Sequence, residues 1–186
     1  MGLGNPGSKY IYTRHNVGFN MIELLAEQLV LSLKKPLFRN YVYARKNGGS
    51  NVLHLIKPLT YMNRSGDILP SLMHRTGTEN DALIVIVDNM DLPAGRVRMK
   101  ANGSSAGHNG LKSIMANIET GQFYRLYIGV GRPEQGSTVV DHVLGEFSEE
   151  NRKKVDAAIE RCVAVFSRIG DMTIKQLARE INAGNS

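Results

Sequence analysis

Apolar positions recur at helical spacing from Val17 to Leu31, where Phe19, Ile22, Leu25, Ala26 and Leu29 share one face. Asn16 stands just before them as a plausible N-cap. Leu37 to Lys46 and Val52 to Lys57 read as two strands of a hairpin about Asn47-Gly48-Gly49-Ser50, and Pro58 ends the second strand. A helix opening at Asn63 or Ser65 runs to about Thr76, with Pro70 inside it as a kink or a later start. The run Ala82-Leu83-Ile84-Val85-Ile86-Val87 has no polar interruption, which predicts a central strand covered on both faces, with Asp88 at its C-terminal end. Pro93-Ala94-Gly95 turns the chain into a strand over Arg96 to Lys100, and Asn102 to Gly107 is a loop of small residues. A helix follows from Asn109-Gly110 through Glu119, then a strand from Tyr124 to Val130. A long helix starts at Ser148, and a last helix spans Thr173 to about Asn182. Helices and strands alternate, so the pattern predicts an α/β fold: a single-domain, three-layer sandwich over residues 1–186 with a mixed, mostly parallel sheet between helices.

Composition changes the picture in one respect. Lys and Arg outnumber Asp and Glu by 23 to 17, a net charge of +6 and a pI near 9.5, which suits a polyanionic partner, nucleic acid first. The 42% hydrophobic and 22% charged content is that of an ordinary globular chain. No apolar run reaches the roughly 20 residues that span a membrane, and no basic segment followed by an apolar core suggests a signal peptide. Cys162 is the only cysteine, so an intramolecular disulfide and a cysteine-based zinc cage are excluded, and a cytoplasmic setting is expected. Lying among Val155, Ala158, Ile159 and Val163, that thiol should be buried and inert.

The candidate chemistry begins in the opening turn. Gly2-Leu3-Gly4-Asn5-Pro6-Gly7 matches G-x-G-x-x-G, but no strand precedes it and the next helix waits until Val17, so dinucleotide binding is not expected. A turn of this kind can instead hold Asn5 and His15 toward a common space. None of His15, His54, His74, His108 and His142 forms an H-x-x-x-H pair, so metal-ligand spacing is absent. His54 and His74 lie within a strand and a helix and are read as structural, while His142 is left open. His15 and His108 differ, because each stands next to an asparagine in a glycine-rich polar loop. Asp88 ends a buried strand, where open α/β sheets build their sites. A carboxylate there can fix the tautomer of an imidazole and raise the basicity of its far nitrogen. A histidine–aspartate pair with no serine or cysteine nucleophile points to water as the attacking group. Asn63 and Asn109 can each donate an amide hydrogen to a substrate carbonyl or a developing oxyanion, or serve as helix caps.

In order and spacing, these residues resemble bacterial-type peptidyl-tRNA hydrolase over nearly the whole chain. The matching pieces are Gly2-Leu3-Gly4-Asn5-Pro6-Gly7, Tyr10, Thr13-Arg14-His15-Asn16-Val17-Gly18, Lys57-Pro58, Tyr61-Met62-Asn63, Ser65-Gly66, and Asp88 with Asp91-Leu92-Pro93. Gly107-His108-Asn109-Gly110-Leu111, Ile128-Gly129-Val130-Gly131-Arg132-Pro133 and Val143-Leu144-Gly145 complete the set. The resemblance implies hydrolysis of the ester between a peptide and the 3′ ribose of tRNA, without metal or cofactor, by a monomer that binds the acceptor end and its 3′-terminal adenosine. It implies His15 as general base, Asp88 as its orienting carboxylate, and Asn5 as the group that tells a blocked amine from a free one. Tyr10, Tyr61, Met62, Asn63 and Asn109 match substrate-contacting positions, and Lys100 matches a contact to tRNA phosphate.

The chain departs from the family pattern in places. A short apolar strand usually precedes the glycine turn, so either the start is misassigned here or the first sheet strand is truncated. The 102–107 loop is less glycine-rich than usual. Asn89 replaces a common acidic residue, and Tyr127 stands where some members carry a phosphate-binding arginine, for which Arg125 or Arg132 is a nearby substitute. The competing reading is a non-catalytic RNA-binding relative acting as a ribonucleoprotein subunit. The retained set Asn5, His15, Asn63, Asp88 and Asn109 argues for the enzyme, since a pure binder has no need of a general base with its carboxylate.

Overall fold

The computed structural model describes residues 1–48 and 51–184. Short 3-10 turns at Ser8–Tyr10 and Arg14–Asn16 lead into α1 (Val17–Gln28). The hairpin β1 (Tyr41–Gly48) and β2 (Asn51–Pro58) follows, then a 3-10 stretch, Met62–Ile68, that runs directly into α2 (Leu69–Thr76). The rest of the chain forms β3 (Ile84–Asn89), β4 (Val97–Ala101), α3 (Asn109–Ile118), β5 (Tyr124–Gly129), α4 (Val139–Leu144), α5 (Glu149–Phe166) and α6 (Ile174–Ala183).

The central sheet has the order β3-β5-β4. β3 and β5 run parallel, with Asp88 opposite Ile128, and β4 runs antiparallel to β5. Alternation along β3 shows why its apolar run is unbroken. Ile84 and Ile86 enter a core shared with Ile22 and Leu25 of α1, Ile159 and Val163 of α5 and Leu177 of α6. Val85 and Val87 enter a second core, with Leu69 and Leu72 of α2 and Leu111 and Ile114 of α3. The sheet is therefore the middle layer of three, as the alternating pattern predicted.

Residues 1–3 lie beside β3. Ile86 N donates to Met1 O and Leu3 N donates to Ile86 O, while Gly2 N donates to Ile56 O of β2, each at 2.9 Å. Residues 1–3 thus tie the hairpin to the sheet. A cavity of about 720 Å³ lies beyond Met1, walled by His54, Leu55 and Ile56 on one side and Leu83 and Ile84 on the other. Gly18 sets the next contact. A β-carbon there would strike the carbonyl of Ile86 and the backbone of Leu3, so the start of α1 lies directly on the strands. This close seating brings the preceding turn, Arg14–Asn16, to the C-terminal end of β3.

Several boundaries differ from the sequence pattern, each for a local reason. α1 stops at Gln28 because Val30 adopts a left-handed φ of 54°. β1 begins only at Tyr41, after Pro36 and a left-handed Phe38 at φ 58°. Residues 49 and 50 of the anticipated hairpin turn lie outside the described residues. Pro70 sits in the first turn of α2, where its missing N–H has no intrahelical acceptor to lose. The 3-10 stretch before it takes up the residues expected to open that helix. α4 was not anticipated; at six residues it is too short for a helical period to stand out.

Candidate active site

Asp88 is the fifth residue of β3 and is buried at the strand's C-terminal end. One of its oxygens, Oδ1, meets two imidazoles: Nδ1 of His15 at 2.8 Å and Nε2 of His108 at 3.0 Å. The two rings lie 5.0 Å apart between centroids, tilted by 46°. Both histidine side chains are 12% exposed against 2% for Asp88, so the carboxylate lies beneath and the imidazoles form the surface above it. Burial pushes the Asp88 carboxyl up, but His108 and then His15 pull harder, and it stays well below the usual carboxylate range. An ionised Asp88 accepts from Nδ1–H of His15 and leaves Nε2 of His15 with a free lone pair.

Asn5 is held from three directions. Its backbone N–H donates to Oδ1 of Asn16 at 2.8 Å, and its carbonyl accepts from Nδ2 of Asn16 at 3.0 Å. Its own Oδ1 accepts from the backbone N–H of Met62 at 2.8 Å. Asn16 was expected to cap α1, but its side chain makes no cap bond and brackets Asn5 instead. With Oδ1 taken, the part of the Asn5 amide left for a ligand is the Nδ2 donor.

Met62 is buried at the start of the 3-10 stretch, beside the first turn of α3, and a β-carbon at Gly110 would lie 2.6 Å from its sulfur. Gly66 N donates to Ser113 Oγ at 3.0 Å, which keeps the stretch and α3 in close register. Asn63 and Asn109 therefore stand at adjoining element starts, both exposed, and no described residue holds either side-chain amide. The cap of α3 is neither of them but His108, whose Nδ1 accepts from Gly110 N and Leu111 N. Tyr61, 58% exposed, precedes the stretch, and Tyr10 ends the first 3-10 turn with the Lys9 ammonium 4.7 Å from its ring centre.

Lys100 is not part of this cluster. It is exposed on β4 opposite Arg125, three residues from Val97, which pairs with Ile128 beside Asp88. Strand geometry puts it roughly 14 Å from Asp88, toward the other end of the sheet. Arg125 is corrected: it is 0% exposed and donates to the carbonyls of Gly121, Phe123 and Gly103. It is a buried clip and is not free to bind phosphate. Arg132 is exposed and paired with Asp91 at 2.6 Å. His142, left open by the sequence, pairs through Nε2 with Gly131 O at 2.9 Å. His54 bonds Tyr43 OH within the hairpin. Burial pushes the Cys162 thiol up to about 12, which fits an inert side chain.

Among the described residues, His15, Asp88 and His108 are the one group whose potential ligand atoms gather, within 4.8 Å of one another. Those atoms are already joined by hydrogen bonds, and His108 Nδ1 is committed to backbone amides, so the cluster is arranged to hold protons. What sequence reasoning missed is the place of His108. Its glycine-rich, asparagine-flanked setting was the available signal, and the setting was noticed without a role being given to it.

The peptidyl-tRNA hydrolase family profile matches residues 1–186. The chain belongs to that family. A Geobacillus kaustophilus peptidyl-tRNA hydrolase is 48% identical over 182 residues, covering 98% of this chain and 97% of the relative. The Bacillus subtilis enzyme of the same name is 41% identical over 182 residues, covering 98% and 96%. The crystal structure of peptidyl-tRNA hydrolase from Acinetobacter baumannii superposes with a TM-score of 0.90 at 35% identity, covering 98% of this chain and 92% of that one. Membership in the peptidyl-tRNA hydrolase family accords with the α/β layers and with the histidine–aspartate pair at the end of the central strand.

Proposed function

We propose that this chain hydrolyses the ester between a peptide and the 3′ ribose oxygen of peptidyl-tRNA. The observation that carries the reading is the 2.8 Å contact between His15 Nδ1 and a buried, ionised Asp88, which leaves His15 Nε2 as a base. In the reaction, Nε2 takes a proton from water as the water oxygen attacks the ester carbonyl carbon. Asp88 steadies the imidazolium that forms. The tetrahedral intermediate collapses with cleavage of the bond to the ribose oxygen, which takes the proton back from Nε2. The products are a peptide acid and a tRNA with a free 3′ hydroxyl, and no metal or cofactor enters the balance.

Asn5 is proposed to confer selectivity. Since its Oδ1 is held by Met62 N, its Nδ2–H groups would donate to the acyl carbonyl that a blocked amine carries and a free aminoacyl group lacks. Tyr10, Tyr61, Met62, Asn63 and Asn109 would contact the acceptor end and its 3′-terminal adenosine. Lys100 would contact a phosphate farther along the tRNA, consistent with its distance from Asp88. The same proposal has the chain working as a monomer in the cytoplasm; among the described residues no helix is long and apolar enough to cross a membrane.

The test compares an N-blocked aminoacyl-tRNA with its unblocked form, with and without a chelator, for wild type and His15→Ala. Chelator-resistant, His15-dependent release from the blocked substrate alone is the expected result. A folded wild-type chain that binds tRNA without releasing peptide would establish the non-catalytic RNA-binding reading instead.

A further inference from the structure

Both ring nitrogens of His108 are engaged, and by opposite kinds of partner. Nδ1 receives the backbone N–H of Gly110 at 3.1 Å and that of Leu111 at 3.4 Å. A nitrogen that receives N–H groups presents a lone pair, so the ring proton is on Nε2, which faces Asp88 Oδ1 at 3.0 Å. The backbone leading in is shaped for this contact, since Ala106 and Gly107 take left-handed φ values of 44° and 83° just before His108. A protonated His108 would turn an N–H toward the two amide hydrogens at the start of α3, where like dipoles repel.

We propose that His108 is a positioning residue: the amide end of α3 holds its imidazole as the Nε2–H tautomer, and that N–H shares Asp88 Oδ1 with His15 and so fixes the carboxylate against which His15 is aimed. The inference deepens the hydrolase reading and rests on it. That second bond fixes the carboxylate plane, so the lone pair of His15 Nε2 is held in one direction.

The other charged groups on elements packed against the two histidines are engaged elsewhere or exposed. Arg14 donates to His142 O and lies over the Phe147 ring. His142 pairs with Gly131 O, and Asp141 is held by Thr138. Arg64 pairs with Asp67, Glu23 pairs with Lys57, and Arg75 donates to Tyr41 OH. Lys112 and Glu27 are exposed on their helices, as is His74 on α2. Among the described residues, Asp88 alone faces both rings.

The test uses the full chain, His108→Asn and His108→Ala. Asparagine supplies an oxygen to cap α3 but is too short to keep the bond to Asp88, and alanine removes both functions. Nitrogen-15 spectra of the imidazoles report tautomer and protonation directly. Wild type is expected to show the His108 ring proton on Nε2. In both variants kcat should fall by about 3- to 10-fold at nearly unchanged KM, as a poorly aimed base would cause. His108→Ala should also lose about 2–4 °C in Tm, which His108→Asn should restore. If His108 carries its proton on Nδ1, the proposal is overturned. It is equally overturned if asparagine restores kcat together with Tm, since capping alone would then explain the residue. The spectra need no turnover, so a wild-type chain that fails to hydrolyse peptidyl-tRNA would sink the hydrolase reading while leaving the tautomer measurable.

Discussion

Two charges are buried on neighbouring strands of the same sheet, and they are neutralised in different ways. Asp88 on β3 meets two imidazoles, rings whose nitrogens can hold or pass a proton. Among the described residues, Arg125 on β5 meets no carboxylate. Three carbonyl oxygens accept from its guanidinium, and the Phe123 ring centre lies 3.9 Å from it. Burial lowers the Arg125 pKa, but a guanidinium stays charged at any pH a protein tolerates. A buried charge set among titratable partners can pass protons, whereas one set among fixed dipoles can only hold shape. The first arrangement reads as a site and the second as a clip, and the clip fastens Gly103, in the loop that leads to His108, onto the sheet.

The contrast can be broken from either side. Arg125→Ala should have the largest effect, because it strands three carbonyls and opens a hole. A loss of about 3–4 kcal/mol, seen as a Tm lower by about 10 °C, is expected in a thermal melt. If Arg125 instead bound phosphate, the melt would barely move and tRNA affinity would fall. His15→Ala should lower turnover by ~10²-fold or more at nearly unchanged Tm and tRNA affinity. An equal loss of affinity would make His15 a binding residue. Asp88→Asn should cost roughly 10- to 100-fold in turnover, since an amide that donates toward His15 Nδ1 places the imidazole proton on Nε2.

Asp88 also fixes the pH behaviour. A carboxyl held below its ordinary value of 3.8 stabilises the fold fully above that value, and the contribution fades as pH falls through the lower folded value. Asp88's own contribution to the stability gap between wild type and Asp88→Asn should therefore shrink below about pH 4, as chemical melts would show. Asn5→Asp keeps an acceptor for Met62 N and deletes the Nδ2 donor. It should narrow the preference for blocked over free aminoacyl-tRNA by about tenfold in kcat/KM. The smallest effect belongs to Lys100→Ala, which should weaken tRNA binding a few-fold and reduce the salt slope by about one. An unchanged slope would take Lys100 off the phosphate path.

The layers were legible in the sequence because apolar patterning reports burial. The run from Ala82 to Val87 predicted a strand covered on both faces; from Ile84 onward its alternate residues do enter two cores, while Ala82 closes a 3-10 turn. Asp88 at its end marked where the site would lie. The opening turn suggested a common space for Asn5 and His15, and the family resemblance added Met62, but neither could show which atoms meet. Asn16 illustrates the limit: its position fitted a helix cap, yet its amide serves the backbone of Asn5. Arg125 illustrates another, since charge alone gave no sign that its partners are carbonyls brought in from Gly103 and Gly121. His108 was hidden for a related reason. Its task depends on amide hydrogens at a helix start, and every sequence offers those without naming them.

The lone thiol opens a practical route to these questions. Cys162 is 1% exposed and held as a thiol by burial, so it does not compete for maleimide reagents in the folded chain. The natural sequence is thereby already a clean background for single-site labelling. A cysteine placed at exposed Arg98, on the same edge strand as Lys100, would carry one fluorophore and no other. Its emission would report tRNA arriving at that edge in real time, separately from release of the peptide.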